Sequence, residues 1–212
     1  MKLKICGITD KSNIARIVNL HPDFLGFIFY SGSKRNVSDR LKSIPFDLIP
    51  ENINKVAVFV NENTHTIKSI AQEYGFTHIQ LHGNESPNQC REIQKFASVI
   101  KVFRVLHSIP SNIYDYEGYC SYFLFDTCGK AYGGTGKSFN HGILSGYKLN
   151  TPFFLSGGIS LQHALYLNKL KLPKLYAVDV NSKFEKAPGL KDIPKLKQFI
   201  KQLNSYEFST QQ

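Results

Sequence analysis

KVAVFVNENTHTIKSIAQEYGFTHIQLH, residues 55–82, holds one complete unit of the fold. Residues 55–60 are a short, near-continuous apolar run closed by Asn61, and residues 78–82 are another. Such runs suit parallel strands covered on both faces. Between them Asn63 or Thr64 can cap a helix. Ile67, Ile70, Ala71 and Tyr74 are spaced along it, and Gly75 supplies its stop. Strand–helix–strand is a crossover unit, because parallel strands cannot be joined by a tight turn.

Outward from this stretch the unit repeats. Buried strands are expected at residues 3–8, 24–29, 55–60, 78–82, 99–105, 122–127, 152–155 and 175–180. Helices follow Asp10, Asn63, Ser86-Pro87 and Ser160, and residues 189–203 close the chain with Ile193, Leu196, Phe199, Ile200 and Leu203 at helical spacing. Weaker helices are expected at 38–44, 111–118 and 139–146. Eight such units predict an α/β fold, a single (β/α)8 TIM barrel of eight parallel strands. It is compact against the ~250 residues typical of that barrel. The rival, an open doubly wound sheet, carries a glycine fingerprint after its first strand. Ile5-Cys6-Gly7-Ile8-Thr9-Asp10 has none. Residues 1–204 are expected to form one domain and the polar residues 205–212 a frayed tail.

Composition narrows the function. The 212 residues carry 26 Lys+Arg against 16 Asp+Glu, a formal net charge of +10. No block of five or six like charges occurs, so this charge suits an enzyme with a Lys-rich surface and an anionic small-molecule substrate better than a nucleic-acid binder. No apolar run approaches the ~18 residues of a membrane helix, and the first residues lack the apolar core of a secretory signal. The expected location is cytoplasmic, without nucleic-acid or membrane partners, and the expected state is a monomer. Cys6, Cys90, Cys120 and Cys128 form no CxxC or CxxH pair, which argues against a zinc site.

Active sites of this barrel lie at the C-terminal ends of its strands. Cys6 ends the first strand, and Ser31 to Arg35 follow the second. His82-Gly83 follows the fourth, Asp126-Thr127 the sixth, Ser156-Gly157-Gly158 the seventh, and Asp179 to Ser182 the eighth. Gly157-Gly158, leading into a helix, and Asn181-Ser182 occupy the usual phosphate position. Cys6 and Asp126 face one another across the mouth. A thiolate is a competent base and a carboxyl with a raised pKa a competent acid. The alternatives are an inert strand-end thiol and a carboxylate spent on a salt bridge or turn. Arg35 can bind a carboxylate through its fork, or be a solvated loop residue. His82 is a binding residue or a packed strand-end imidazole. The stretch Ala131-Tyr132-Gly133-Gly134-Thr135-Gly136-Lys137-Ser138 imitates a P-loop with Ala131 in place of its first glycine. Because Cys128-Gly129-Lys130 separates it from the strand, it reads instead as a lid hinged at Gly133, Gly134 and Gly136.

With these residues in hand, the chain resembles the phosphoribosylanthranilate isomerase family of tryptophan biosynthesis. The matching segments are Lys4-Ile5-Cys6-Gly7-Ile8-Thr9, Gly26-Phe27-Ile28-Phe29-Tyr30 with Arg35, Val56-Ala57-Val58-Phe59-Val60 and Ile79-Gln80-Leu81-His82-Gly83. They continue with Phe125-Asp126, Gly133-Gly134-Thr135-Gly136, Leu155-Ser156-Gly157-Gly158-Ile159, Val178-Asp179-Val180-Asn181-Ser182 and Pro188-Gly189-Leu190-Lys191-Asp192. The resemblance implies an Amadori rearrangement of N-(5-phosphoribosyl)anthranilate to 1-(2-carboxyphenylamino)-1-deoxyribulose 5-phosphate. It implies Asp126 as general acid and Cys6 as general base. Arg35 would sit on the anthranilate carboxylate and Asp179 near the sugar. Gly157, Gly158, Asn181 and Ser182 would hold the phosphate, with no metal or organic cofactor. Two segments depart from the family: Ser31-Gly32-Ser33-Lys34, where prolines are common, and Asn181-Ser182-Lys183, where Ser-Ser-Gly is common.

Three other readings make different demands. Another sugar-phosphate isomerase on the same barrel would leave Arg35 and His82 idle. A P-loop nucleotide binder would depend on Lys137 and Ser138. A non-catalytic phosphate-ligand binder would tolerate loss of both Cys6 and Asp126.

Overall fold

The computed structural model describes residues 1–127, 139–167 and 169–205. The hinge glycines Gly133, Gly134 and Gly136, the P-loop-like Lys137-Ser138, Cys128 and the tail beyond Ser205 lie outside the described residues.

Eight parallel strands close in sequence order into a barrel: β1 (Lys2–Cys6), β2 (Phe24–Phe29), β3 (Asn54–Phe59), β4 (His78–Leu81), β5 (Ser98–Val105), β6 (Tyr122–Thr127), β7 (Phe153–Leu155) and β8 (Leu175–Val180). β1 pairs with both β2 and β8, which completes the ring. Closure leaves no strand edge open to another chain.

The expected caps are made. Asp10 Oδ1 accepts from the N–H groups of Ser12 (2.9 Å) and Asn13 (3.1 Å) at α1 (Lys11–Val18). Asn63 accepts from Thr66 N–H at 2.9 Å, and Gly75 ends α2 (Thr64–Tyr74) in the left-handed region. Ser86 caps α3 (Pro87–Gln94), whose N1 proline has no N–H to leave unpaired. α4 (Ala164–Leu167) is short, and α5 (Ile193–Asn204) is capped by Asp192. Each such cap contributes about 1 kcal/mol.

Three expected helices are instead 3-10 turns: Ser38–Ser43, Ser111–Tyr116 and His141–Gly146. Val37 and Pro110, at the heads of the first two, make no side-chain cap. The third is capped by Asn140 but carries Gly142 and Gly146, residues that cost helix stability. The final helix also starts later than expected. A two-stranded hairpin, β9 (Glu185–Ala187) with β10 (Leu190–Lys191), occupies the residues before it.

The strands separate two apolar cores. Outward residues such as Leu3, Ile5, Leu25, Phe27, Ala57, Ile79 and Phe123 pack beneath the helices. Inside the barrel lie Cys6, Phe24, Val56, Val58, Ile100, Val102, Leu124, Phe154 and Ala177. The N-terminal end of the barrel is filled with rings. Phe24 meets His78 edge-on at 5.3 Å and Phe154 at 5.1 Å, while Tyr122 lies 4.9 Å from Tyr176.

Burial holds His78 neutral, its pKa lowered from 6.5 to about 4. His141 is lowered to about 4 as well, by burial and then by the charge of His163. The unfolded chain therefore binds more protons than the folded one between those values, so stability rises with pH across that window. We expect thermal midpoints to fall as pH drops from 6.5 toward 4. The fall should be shallower in His78→Phe, and an equal slope in that variant contradicts the assignment.

Candidate active site

Side chains alternate along a strand, so residues i and i+2 share a face. Cys6 belongs to the inner cluster, and Lys4 and Asp126 share the inward parity of their own strands. Cys6 is 4 % exposed, at the last residue of β1, opposite Gly26 of β2. A Cβ at position 26 would stand 2.6 Å from the Cys6 sulfur. Glycine at that point makes room for the thiol.

Asp126 ends the inner face of β6. Its Oδ1 accepts from Thr127 N–H at 2.8 Å, and its Oδ2 lies 3.3 Å from His82 Nε2. Gln80 Nε2 approaches His82 Nδ1 at 3.1 Å. With that amide donating, the neutral ring carries its own proton on Nε2, beside Asp126. The turn after β7 closes over this group. Gly157 has φ +88°, and a Cβ there would collide with the Thr127 hydroxyl and stand 3.2 Å from Asp126 Oδ1. Gly158 follows at φ +66°. Only glycine meets both demands at 157 without strain.

The loop behind His82 is held by a carboxylate that the sequence reading passed over. Glu85 is buried and accepts from Gly83 N–H at 2.9 Å, Asn61 N–H at 2.8 Å and Lys101 Nζ at 2.8 Å.

A second group of charges surrounds Cys6. Arg35 and Asn181 side chains both close over Gly7. The Arg35 fork holds Glu185, with Nε 2.9 Å from Oε1 and Nη2 2.6 Å from Oε2. Glu185 Oε1 also accepts from Lys191 Nζ at 2.7 Å and from Gly189 N–H at 3.1 Å. Lys191 Nζ donates in addition to Asn181 Oδ1 at 2.8 Å. Burial works to raise the Glu185 carboxyl, but Arg35 and Lys191 outweigh it and hold the group below the usual range.

Asp179, on β8, is 6 % exposed and pairs with Lys4 Nζ at 3.0 Å. Burial disfavours the Lys4 ammonium, yet Asp179 and Cys6 outweigh that penalty and its pKa is raised. Burial likewise pushes the Asp179 carboxyl up, against the pull of Lys4. Removing one partner of such a pair costs about 3–5 kcal/mol.

The structure thus brings Cys6, Arg35, Asp179 and Asn181 into one charged cluster, and His82, Asp126 and Gly157 into another on the same rim. Asn181 heads the 3-10 turn Ser182–Phe184, and Gly158 continues the glycine turn after β7. The side chains of Asp179 and Asn181 are engaged by lysines. Sequence reasoning missed Glu185 and the roles of Lys4 and Lys191. Lys4 had a signal, because it shares the parity of Cys6 in a buried strand. Glu185 had none, since its hairpin strands have three and two residues. Among the described residues no group of three or more His, Cys, Asp or Glu side chains could hold a metal ion, and no helix is long and apolar enough to cross a membrane.

The family model described as N-(5'-phosphoribosyl)anthranilate (PRA) isomerase matches residues 3–202. An N-(5'-phosphoribosyl)anthranilate isomerase of Phocaeicola vulgatus is 43 % identical over 205 residues, covering 96 % of this chain and 98 % of the relative. The crystal structure of phosphoribosyl anthranilate isomerase from Thermotoga maritima superposes with a TM-score of 0.81 at 34 % identity, over 96 % of this chain and 98 % of the other. Another phosphoribosyl anthranilate isomerase structure, in complex with reduced 1-(o-carboxyphenylamino)-1-deoxyribulose 5-phosphate, superposes with a TM-score of 0.74 at 31 % identity over 96 % of this chain and 98 % of the other.

Proposed function

The chain belongs to the N-(5'-phosphoribosyl)anthranilate isomerase family, and from that premise we propose that Cys6 and Asp126 are the base and acid of its reaction. The protein is an isomerase of tryptophan biosynthesis that converts N-(5'-phosphoribosyl)anthranilate to 1-(2-carboxyphenylamino)-1-deoxyribulose 5-phosphate. The observation that carries the assignment is the rim of the barrel. A thiol and a carboxyl, each at the last inward position of its strand, flank the mouth, and the carboxyl abuts a left-handed Gly-Gly turn.

In this reading Asp126 donates its proton to the ribose ring oxygen. The C1–O bond breaks as the anthranilate nitrogen lone pair forms the C=N bond of a protonated Schiff base. Thr127 N–H and His82 Nε2 stabilise the carboxylate left on Asp126. The Cys6 thiolate then takes the C2 proton, that electron pair forms the C1–C2 double bond, and the C=N π pair returns to nitrogen to give the enolamine. Tautomerisation places a proton on C1 and removes one from the C2 hydroxyl, giving the ketone. One proton has then passed from Asp126 to substrate and one from substrate to Cys6. Exchange with water restores both groups.

Gly157, Gly158, Asn181 and Ser182 hold the phosphate through the backbone of the loops after β7 and β8, the position this barrel commonly uses. Arg35 is oriented from one side by Glu185. The Nη1 donors lie outside that pair and face the anthranilate carboxylate. Asp179 lies one layer below the sugar. No metal or organic cofactor takes part, because the substrate nitrogen is itself the electron sink. Residues 1–204 act as one domain, a monomer in the cytoplasm. The monomer reading is supported by exposed large apolar side chains that fall in different segments, such as Leu48, Tyr114 and Leu165.

The test is turnover. The purified protein is expected to convert N-(5'-phosphoribosyl)anthranilate, and its gene to restore growth without tryptophan to a strain lacking this isomerase. Folded protein that fails to turn over this substrate overturns the function.

A further inference from the structure

The inside of the barrel is apolar apart from a few groups, and one of them is a lysine with no exposure at all. Lys4 is fully buried on the inner face of β1, in register with Phe24 of β2 and Asp179 of β8, where burying an ammonium ion is costly. It precedes Cys6 by two residues, so the two side chains leave β1 on the same face, about 7 Å apart along the strand. Its Nζ is 3.0 Å from Asp179 Oδ1, and its charge acts on the Cys6 thiol.

We propose that Lys4, anchored by Asp179, is a positioning residue for Cys6: its ammonium is the counter-charge that lets the sulfur exist as a thiolate in a buried, apolar place. This rests on the reading of Cys6 as the base. Burial pushes the Cys6 thiol up, Lys4 pulls hardest against it, Asp179 adds to the rise, and Lys191 helps to lower it. The other charged groups are already engaged. Arg35, from the loop after β2, and Lys191, from β10, share Glu185 of β9. Asp126 of β6 and His82, just after β4, act on Asp179 from across the mouth. Lys4 is the cation that shares the inward face of β1 with the sulfur.

The thiolate is the reactive form, so kcat/KM climbs with pH toward the Cys6 pKa. Removing the counter-charge moves that climb to higher pH. The experiment uses the full chain as wild type, Lys4→Met and the double variant Lys4→Met/Asp179→Leu, which leaves no unpaired carboxylate if the single variant does not fold. Iodoacetamide labelling of the Cys6 peptide, followed by mass spectrometry across pH, gives the thiol midpoint without reference to activity. We expect the midpoint to rise by about one pH unit or more in Lys4→Met, roughly tenfold less thiolate at neutral pH, and by a smaller amount in the double variant, where loss of Asp179 offsets part of the effect. In Lys4→Met the ascending limb of kcat/KM should move by the same amount and recover at alkaline pH. A labelling midpoint unchanged in a folded variant overturns the proposal, even in a fully active wild type. A raised midpoint with an unmoved kcat/KM profile supports the Lys4–Cys6 link and overturns Cys6 as the base.

Discussion

Cys6→Ala folds, still binds a reduced product analogue, and turns over about 10²–10⁴-fold more slowly than the parent, the range expected when a positioned base is removed. The fold should survive, because alanine at the end of β1 leaves the ring of strands and both cores in place and removes only the sulfur that Gly26 makes room for. The loss should fall on kcat. Arg35 is held by Glu185 and Asn181 by Lys191 rather than by the thiol, so ground-state binding should be retained while the transition state loses its proton acceptor. Stopped turnover with wild-type analogue binding is the diagnostic pair. Full activity in folded Cys6→Ala would falsify the proton-transfer scheme.

Asp126→Asn should lose a comparable factor, about 10²–10⁴ in kcat, from the opposite end of the reaction. An amide keeps the shape and can still accept from Thr127 N–H, but it has no proton to give the ring oxygen. The cost therefore lies in ring opening. A substrate analogue already open at C1 would bypass that step. Its conversion by Asp126→Asn should be impaired far less than that of the natural substrate, whereas Cys6→Ala should be impaired with both. Equal impairment of Asp126→Asn with the two substrates would remove Asp126 from the ring-opening step.

The barrel was legible in the sequence because its signal is long and repeated: apolar runs of four to seven residues, several of them followed by a helix cap. Asp10, Asn63 and Ser86 marked helix starts because a side-chain acceptor is a local device. The 3-10 turns at Ser38–Ser43 and Ser111–Tyr116 read as helices because spacing carried them and no cap was there to test. At the site, strand parity and strand ends located Cys6, His82 and Asp126. Arg35 was found but its partner was not. Glu185 lies 150 residues away in sequence, on a hairpin too short to have a period, and the two meet only because β1 closes the ring against β8. Long-range charge pairs of this kind have no local signature.

The rings that fill the N-terminal end of the barrel give it a closed floor. Phe24, His78, Tyr122, Phe154 and Tyr176 stand between the reacting groups and the water below. The barrel is then a cup rather than a pipe, with a single doorway for substrate, product and protons alike. In the proposed reaction Cys6 sheds its proton and Asp126 regains one through the same opening by which the product leaves. Resetting the enzyme and emptying it share one route, and whatever covers that doorway sets the pace of both.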